Sequence, residues 1–539
     1  MKLSSRNVWL SIFCLIALIV GVGVGILVYH EVYGPAKAAA KPIIGVIRIY
    51  GYLLTDTDRD LYLKCINYAI QNDSIVGVIV RIDSPGGYAT IVEDLYHSIR
   101  ELSEIKPTIA VVEGIAASGG YYVALATNEI VAVPTSFVGN IGVILRQPYI
   151  AIPSEAVIET GPYKYTGLSL KETPFTVREA LRNFLSAVNA SRGDKLRISI
   201  EELILGKLYL SSEAIEYGLI DELGSYATAI AEISRKTGVE EYVLIDLNDL
   251  LSRSSANRTL GQELWHRGEL LSLELISSLH PEPLSLYYLS PFYIKSYSLI
   301  EPLTAFNFKF NTTFHEETTT SPINSNSVLI DISHGNFFTY ELLSRFFGEL
   351  IEHGFKVVLF DLTQIENLPS NVVPHALIII SPRAEYSSAE VNFIKRLVDK
   401  GCKLILIYDP SITSSRYINS LANAFGMHFS DGYLYDLNCN YGVYRNIIVR
   451  KFADHILTKG VRKLTLFTAS HIYGGDVKLA ITNASTKSIL TDRAGEYAPL
   501  VINGNVIAIA DLTFMLDPFI TISDNEVFMK NMVKFIEGR

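Results

Sequence analysis

After residue 42, apolar β-branched runs recur at 43–50, 75–82, 108–112, 130–134 and 149–158. Continuous runs of this kind read as strands buried on both faces, as in parallel sheets. Amphipathic spacing between them predicts helices over 57–72, 91–105, 119–127 and 177–195. Strand–helix alternation predicts an α/β unit with its chemistry at the carboxyl ends of the strands. From about residue 252 the pattern loosens, although 263–279 has the spacing of an amphipathic helix, and 312–327 is rich in Thr, Ser, Asn and Glu. Alternation resumes with expected strands at 327–332, 356–360, 376–380, 403–408, 463–467 and 506–510 and helices at 340–353 and 388–400. The division expected is a terminus, anchor and stalk over 1–41, a first α/β domain over 42–251, a linker with local structure over 252–327 and a second α/β domain over 328–539.

The first residues have a different pattern. Val8 to Tyr29 is an uncharged stretch behind Lys2 and Arg6. Such a stretch, at ~1.5 Å per residue, crosses a ~30 Å hydrocarbon core and exceeds the ~7–15 apolar residues of an ordinary signal peptide. A single-pass signal anchor in the cell membrane is expected, with its short N-terminus inside and both α/β domains on the extracytoplasmic side. A cleavable signal is the rival, because Ala36, Ala38, Ala39 and Ala40 offer small residues around Lys37. The triplets Asn257-Arg258-Thr259 and Asn311-Thr312-Thr313 agree with an outward location as glycan acceptors.

Composition narrows the function. A formal charge of -10 with no long basic run argues against nucleic acid. The four cysteines, at 14, 65, 402 and 439, have no paired spacing, and the eleven histidines make no ligand pattern. No metal and no cofactor are therefore expected.

Two glycine turns remain. Asp83-Ser84-Pro85-Gly86-Gly87 follows the second run, and Glu113-Gly114-Ile115-Ala116-Ala117-Ser118-Gly119-Gly120-Tyr121-Tyr122 follows the third. Glycines there let the backbone approach a ligand, and Ser118 would open a helix whose unpaired N–H groups favour developing negative charge. A serine so placed is a candidate nucleophile beside an oxyanion hole formed by the N–H of Gly119 and of Gly86 or Gly87.

These two turns, together with Gly139-Asn140-Ile141-Gly142-Val143-Ile144 and the segment Ala214 to Gly224, resemble the signal peptide peptidase A family of membrane serine proteases. The resemblance covers about residues 42–240 and implies a Clp protease/crotonase-like α/β spiral. It also implies that Ser118 is the nucleophile and a lysine the base. The family's Gly-x-x-Lys stretch matches Gly161-Pro162-Tyr163-Lys164, which selects Lys164; Lys171 and Lys106 remain alternatives. Asn140 stands where the family usually has a serine close to the dyad, and its amide can support the lysine. The resemblance further implies peptide or membrane-protein substrates, with signal-peptide remnants foremost, and a homo-oligomeric ring in which serine and lysine come from neighbouring subunits. An extended peptide is expected to add as a strand beside Gly86-Gly87.

A stomatin-cleaving membrane protease is the near alternative, although such relatives usually read Ala-Ser-Ala-Gly. A noncatalytic membrane scaffold and a crotonase-like acyl-CoA enzyme are the others. The second domain resembles glutamine-amidotransferase-like domains of flavodoxin type, through Ile379-Ile380-Ser381-Pro382, the run Gly401 to Asp409, Asp511 and Asp524-Asn525. It has no Gly-x-Cys-x-Gly elbow, so a binding or scaffolding role is expected of it. His334 is expected either to line a ligand cleft or to stabilise its turn.

Overall fold

A computed structural model describes residues 5–32, 41–146, 160, 163–164, 167, 169–251, 258–280, 285–294, 323–337, 343–363, 368 and 372–538. Helix α1 (Ser5–Val32) contains the 21-residue apolar stretch Trp9–Tyr29, whose side chains are exposed. By length and composition it can cross a membrane.

The first α/β unit runs β1 (Ile43–Tyr50), α2 (Asp56–Gln71), β2 (Ile75–Ser84), β3 (Gly86–Tyr88), α3 (Ala89–Ile105), β4 (Thr108–Ala117), α4 (Gly119–Ala124), β5 (Glu129–Ala132), β6 (Phe137–Gly139), β7 (Ile144–Arg146), α5 (Thr173–Arg192), β8 (Leu208–Leu210), β9 (Glu222–Leu223) and β10 (Val243–Asp246). A parallel sheet has the order β10-β1-β2-β4-β5-β9. Strand β4 serves two layers. Ile109–Val112 pairs with β5, whereas Ile115–Ala117 pairs with β6, which then pairs antiparallel with β8. The change of partner falls at Glu113-Gly114, where a Cβ on Gly114 would meet Asp83 Oδ1 at 2.4 Å. A small residue at this bend lets the strand turn into the second layer and carry Ser118 to its end.

The remaining segments close around this frame. Helix α2 starts with a capping box in which Thr55 and Asp58 satisfy each other's backbone N–H groups. Its inner face joins α3, α4 and the strands in one core containing Ile47, Val80, Leu95, Val112, Tyr121 and Phe184. At the other end of the unit, Arg192 is 2% exposed and meets Asp221 at 2.7 Å.

The second unit has β12 (Ser327–Asp331), β13 (Lys356–Phe360), β14 (Ala376–Ile380) and β15 (Lys403–Ile407) in the order β13-β12-β14-β15, continued in parallel by Val506–Ile509. Antiparallel strands Leu500–Asn503, Val477–Ile481 and Lys451–Phe452 complete the sheet. Alternate residues of β12 enter different cores, Val328 and Ile330 on one face and Leu329 on the other. Both faces are therefore covered, which explains the near-continuous apolar runs of these strands.

Several expectations change. The run 463–467 supplies only the short strand Leu464–Thr465, paired with Val443–Val449 outside the main sheet. The single helix expected at 263–279 is two, Leu260–His266 and Leu273–Leu279, broken after Gly268 at φ 65°. The strand expected at 149–158 lies outside the described residues. Part of the segment read as a linker is packed onto the first unit: β11 (Ser285–Leu289) pairs with β3 on one side and β7 on the other. Leu264, Leu271, Ile276 and Leu289 bury themselves with Tyr52 and Leu54.

Candidate active site

Strands β2 and β4 lie side by side and parallel, so their carboxyl-terminal turns meet as the sequence pattern predicts. Ser118 follows β4 directly and forms the N-cap position of α4, with φ 51° and ψ −114°. This is a strained conformation for a residue with a side chain. Strand-to-helix turns of nucleophilic serines have the same character, because the sharp turn presents the hydroxyl at the helix N-terminus. The Ser118 N–H donates to the Gly139 carbonyl at 2.8 Å and its own carbonyl accepts from Tyr122 at 2.9 Å, which fix the turn. Ser118 is 1% exposed yet lines a cavity of about 1030 Å³.

The glycines make this approach feasible. A Cβ on Gly86 (φ 98°) would stand 2.6 Å from the Gly119 nitrogen, and one on Gly120 would stand 2.3 Å from the Ser84 carbonyl oxygen. Gly119 thus follows Ser118 at the first turn of α4, where N–H groups lack intrahelical acceptors. It suits an oxyanion donor. The Gly86 N–H already donates to Ser84 Oγ at 3.2 Å, and Gly87 packs against the Leu53 backbone. The edge beside Gly86-Gly87, expected to take a substrate strand, is occupied by β11 of the same chain.

Asn140 lies across the turn at φ 52°. Its N–H donates to the Lys207 carbonyl at 2.7 Å and its side-chain amide to the Gly206 carbonyl at 2.6 Å. The amide therefore holds the loop that carries the Gly139–Gly142 turn, and Asn140 lines the cavity with Ser118.

The lysines are dispersed. Lys164 is exposed on a turn closed by a 2.7 Å bond from the Gly167 N–H to the Tyr163 carbonyl, and it is not among the residues lining the Ser118 cavity. Lys171 donates to Thr521 of the second unit. Lys106 caps the C-terminal end of α3 and donates to the Ala69 and Asn72 carbonyls at 2.6 and 2.8 Å. Within one chain, the described contacts bring Ser118, Gly86, Gly119 and Asn140 together and leave Lys164 apart.

The second unit contributes to the same cavity. Phe337, Arg383, Ser411 and Thr513, beyond the carboxyl ends of its parallel strands, line it together with Ser118, as do Val177 and Leu181 of α5. His334 is 4% exposed, with Nδ1 at 2.9 Å from Asp331 and Nε2 at 3.5 Å from Glu390, and it stacks on Tyr386. Burial alone would lower its pKa, but the Asp331 carboxylate raises it above the ordinary value. With both nitrogens committed, His334 reads as a turn-stabilising residue. Burial pushes the Cys402 thiol up to about 12, so it is not a ready thiolate. The involvement of β11 and of the second unit in this cavity was not legible, since nothing in the sequence ties either of them to the Ser118 turn.

A family model of peptidase family S49 matches residues 100–240. A putative protease of Synechocystis sp. is 30% identical over 205 residues, which span 35% of this chain and 73% of that protein. The chain belongs to peptidase family S49. A further relative, the chloroplastic serine protease SPPA of Arabidopsis thaliana, is 34% identical over 188 residues. That alignment spans 32% of this chain and only 28% of the plant protein. Among solved structures, the 1510-N membrane-bound stomatin-specific protease is 21% identical, covering 39% of this chain and 94% of that one at a TM-score of 0.24. The S49 membership makes the first α/β unit a serine-protease domain of the signal peptide peptidase A type, and the apolar N-terminal helix makes the chain membrane-associated.

Proposed function

We propose that the chain is a membrane-anchored serine endopeptidase in which Ser118 attacks the peptide carbonyl and Lys164 of an adjacent subunit takes its proton. The observation that carries this reading is the placement of Ser118 at a strained strand-to-helix turn against Gly86 and Gly119. Attack forms the Ser118 Oγ–carbon bond and a tetrahedral oxyanion, which the Gly119 N–H stabilises. Collapse breaks the peptide C–N bond, and the lysine returns the proton to the leaving amine. Water then repeats the sequence on the acyl-enzyme, releasing the acid and restoring Ser118.

The exposed turn of Lys164 supports the intersubunit arrangement, because a surface lysine is available to a neighbouring copy. A head-to-tail contact that closes by rotation gives a ring. The apolar anchor favours substrates at the membrane, either remnants of signal peptides or short apolar segments on the extracytoplasmic side. The second unit acts as a glutamine-amidotransferase-like scaffold without a cysteine nucleophile, roofing the cavity. The test mixes inactive Ser118→Ala and Lys164→Ala chains before assembly. Partial recovery of peptide cleavage is expected, since some interfaces pair an intact serine with an intact lysine. Co-purifying mixtures with no cleavage would refute the intersubunit dyad.

A further inference from the structure

Strand β11 occupies an unusual position. Residues Tyr287, Tyr288 and Leu289 pair antiparallel with Tyr88, Gly87 and Gly86, while Ser285, Leu286 and Tyr287 pair antiparallel with Arg146, Leu145 and Ile144. The two flanking strands are those that lead away from the Gly-Gly turn and from the Gly139–Gly142 turn, the two walls of the Ser118 site. Beyond the strand, Ser290 donates its N–H to the Pro85 carbonyl at 3.0 Å, and Leu289 and Pro291 line the same cavity as Ser118.

The backbone fit is close. The Tyr288 carbonyl oxygen lies 2.0 Å from where a Cβ on Gly86 would stand and 2.8 Å from where one on Gly119 would stand. It therefore sits against the glycines proposed to line the reacting centre. The Tyr288 side chain enters the floor beneath the nucleophile helix. Its ring stacks on Tyr122 with centroids 5.0 Å apart and meets Phe184 edge-on at 5.3 Å. Its hydroxyl donates to Glu93 at 2.8 Å and reaches the Ala180 carbonyl at 3.2 Å, and the residue is fully buried. This is a side-chain pocket with an aromatic wall and a polar base.

Extended peptides bind proteins by adding to sheet edges, with main-chain bonds giving affinity and alternate side chains filling pockets. Here both edges and the pocket are filled by the chain's own residues. We propose that Ser285–Leu289 occupies the substrate groove as an intramolecular stand-in for substrate, holding the folded chain autoinhibited, and that the Tyr122–Phe184–Glu93 pocket selects an aromatic, hydroxyl-bearing side chain. The proposal rests on the reading of Ser118 as the nucleophile.

A tethered segment acts at an effective concentration of roughly millimolar. For an intrinsic affinity of about 0.1 mM, vacating the groove then raises turnover of a dilute peptide about 10-fold. Two measurements on the full chain test this, with folding checked by thermal melting. Tyr288→Ala is expected to raise kcat/KM for a fluorogenic peptide about 10-fold. A fluorescein-labelled peptide Ser-Leu-Tyr-Tyr-Leu is expected to bind Ser118→Ala with Tyr288→Ala about 10-fold more tightly than Ser118→Ala alone. If Tyr288→Ala does not fold, Tyr288→Phe replaces it; losing only the hydroxyl bond to Glu93, it is expected to tighten binding a few-fold. Unchanged or weaker peptide binding in the folded variant overturns the proposal whether or not the chain cleaves anything. Tighter binding without cleavage by any variant upholds the groove and refutes the nucleophile instead.

Discussion

Gly120→Ala separates catalytic geometry from stability. Helix α4 is pressed so closely onto the end of β2 that the new Cβ would lie 2.3 Å from the Ser84 carbonyl oxygen and 3.3 Å from the Ser84 Cβ. A comfortable C···O contact is roughly 3.3 Å, so the helix must retreat by about 1 Å. Overpacking of this kind costs about 1–3 kcal/mol, while alanine in place of a helical glycine returns about 1 kcal/mol. The net cost of about 0–2 kcal/mol is small against a domain stability of about 5–15 kcal/mol, so the variant should fold. Its first turn carries Ser118 and the Gly119 N–H, however, and a misplacement of about 1 Å costs about 100-fold in rate. The assay pairs urea denaturation with steady-state cleavage of a fluorogenic peptide. Gly348→Ala is the control, since its Cβ meets nothing within 4 Å and it lies in the helix Ser344–Glu352; it should gain up to about 1 kcal/mol without loss of rate. Wild-type kcat/KM in Gly120→Ala would refute the claim that the α4 approach to β2 sets the geometry of the site.

Other predictions concern stability. Asp221→Ala should cost about 3–5 kcal/mol by denaturation, because it leaves the buried Arg192 guanidinium unpaired. Burial would raise the Asp221 pKa, but Arg192 and Lys195 lower it overall, so its contribution is present above the usual carboxylate range and is lost as pH falls through the lowered value. His471 acts in the same direction. Burial lowers its pKa to about 4, so stability should be lost as pH falls from 6.5 toward 4, and His471→Gln should flatten that part of a melting-temperature profile. Cys402→Ser should leave peptide cleavage unchanged; a matching loss of glutaminase activity would contradict a scaffolding role for the second unit.

The legible parts of the fold were those written in local apolar runs. Strands Lys356–Phe360 and Ala376–Ile380 were read to the residue because each is an unbroken apolar run, opened in the first by the single charge of Lys356. The turn that holds Ser118 was legible because the glycines needed for its close backbone approach also mark it in the sequence. Strand β11 was not. It is interrupted by Ser and Pro on both sides, and its partners lie about 140 and 200 residues away, a separation that leaves no local period to read. The strained torsions of Ser118 and Asn140 were equally hidden, since neither is a glycine and the surrounding bonds impose the conformation. Lys164 was selected by the matched stretch alone, and the described contacts leave it apart from the Ser118 of its own chain.

The most direct measurement is labelling of the full-length protein with a fluorophosphonate probe, followed by mass spectrometry of the adduct and parallel peptide-cleavage assays on Ser118→Ala. A single adduct on Ser118, with labelling and cleavage both lost in Ser118→Ala, is the predicted result. Cleavage that survives in Ser118→Ala, or an adduct on another residue that forms at the wild-type rate in that variant, would contradict the account.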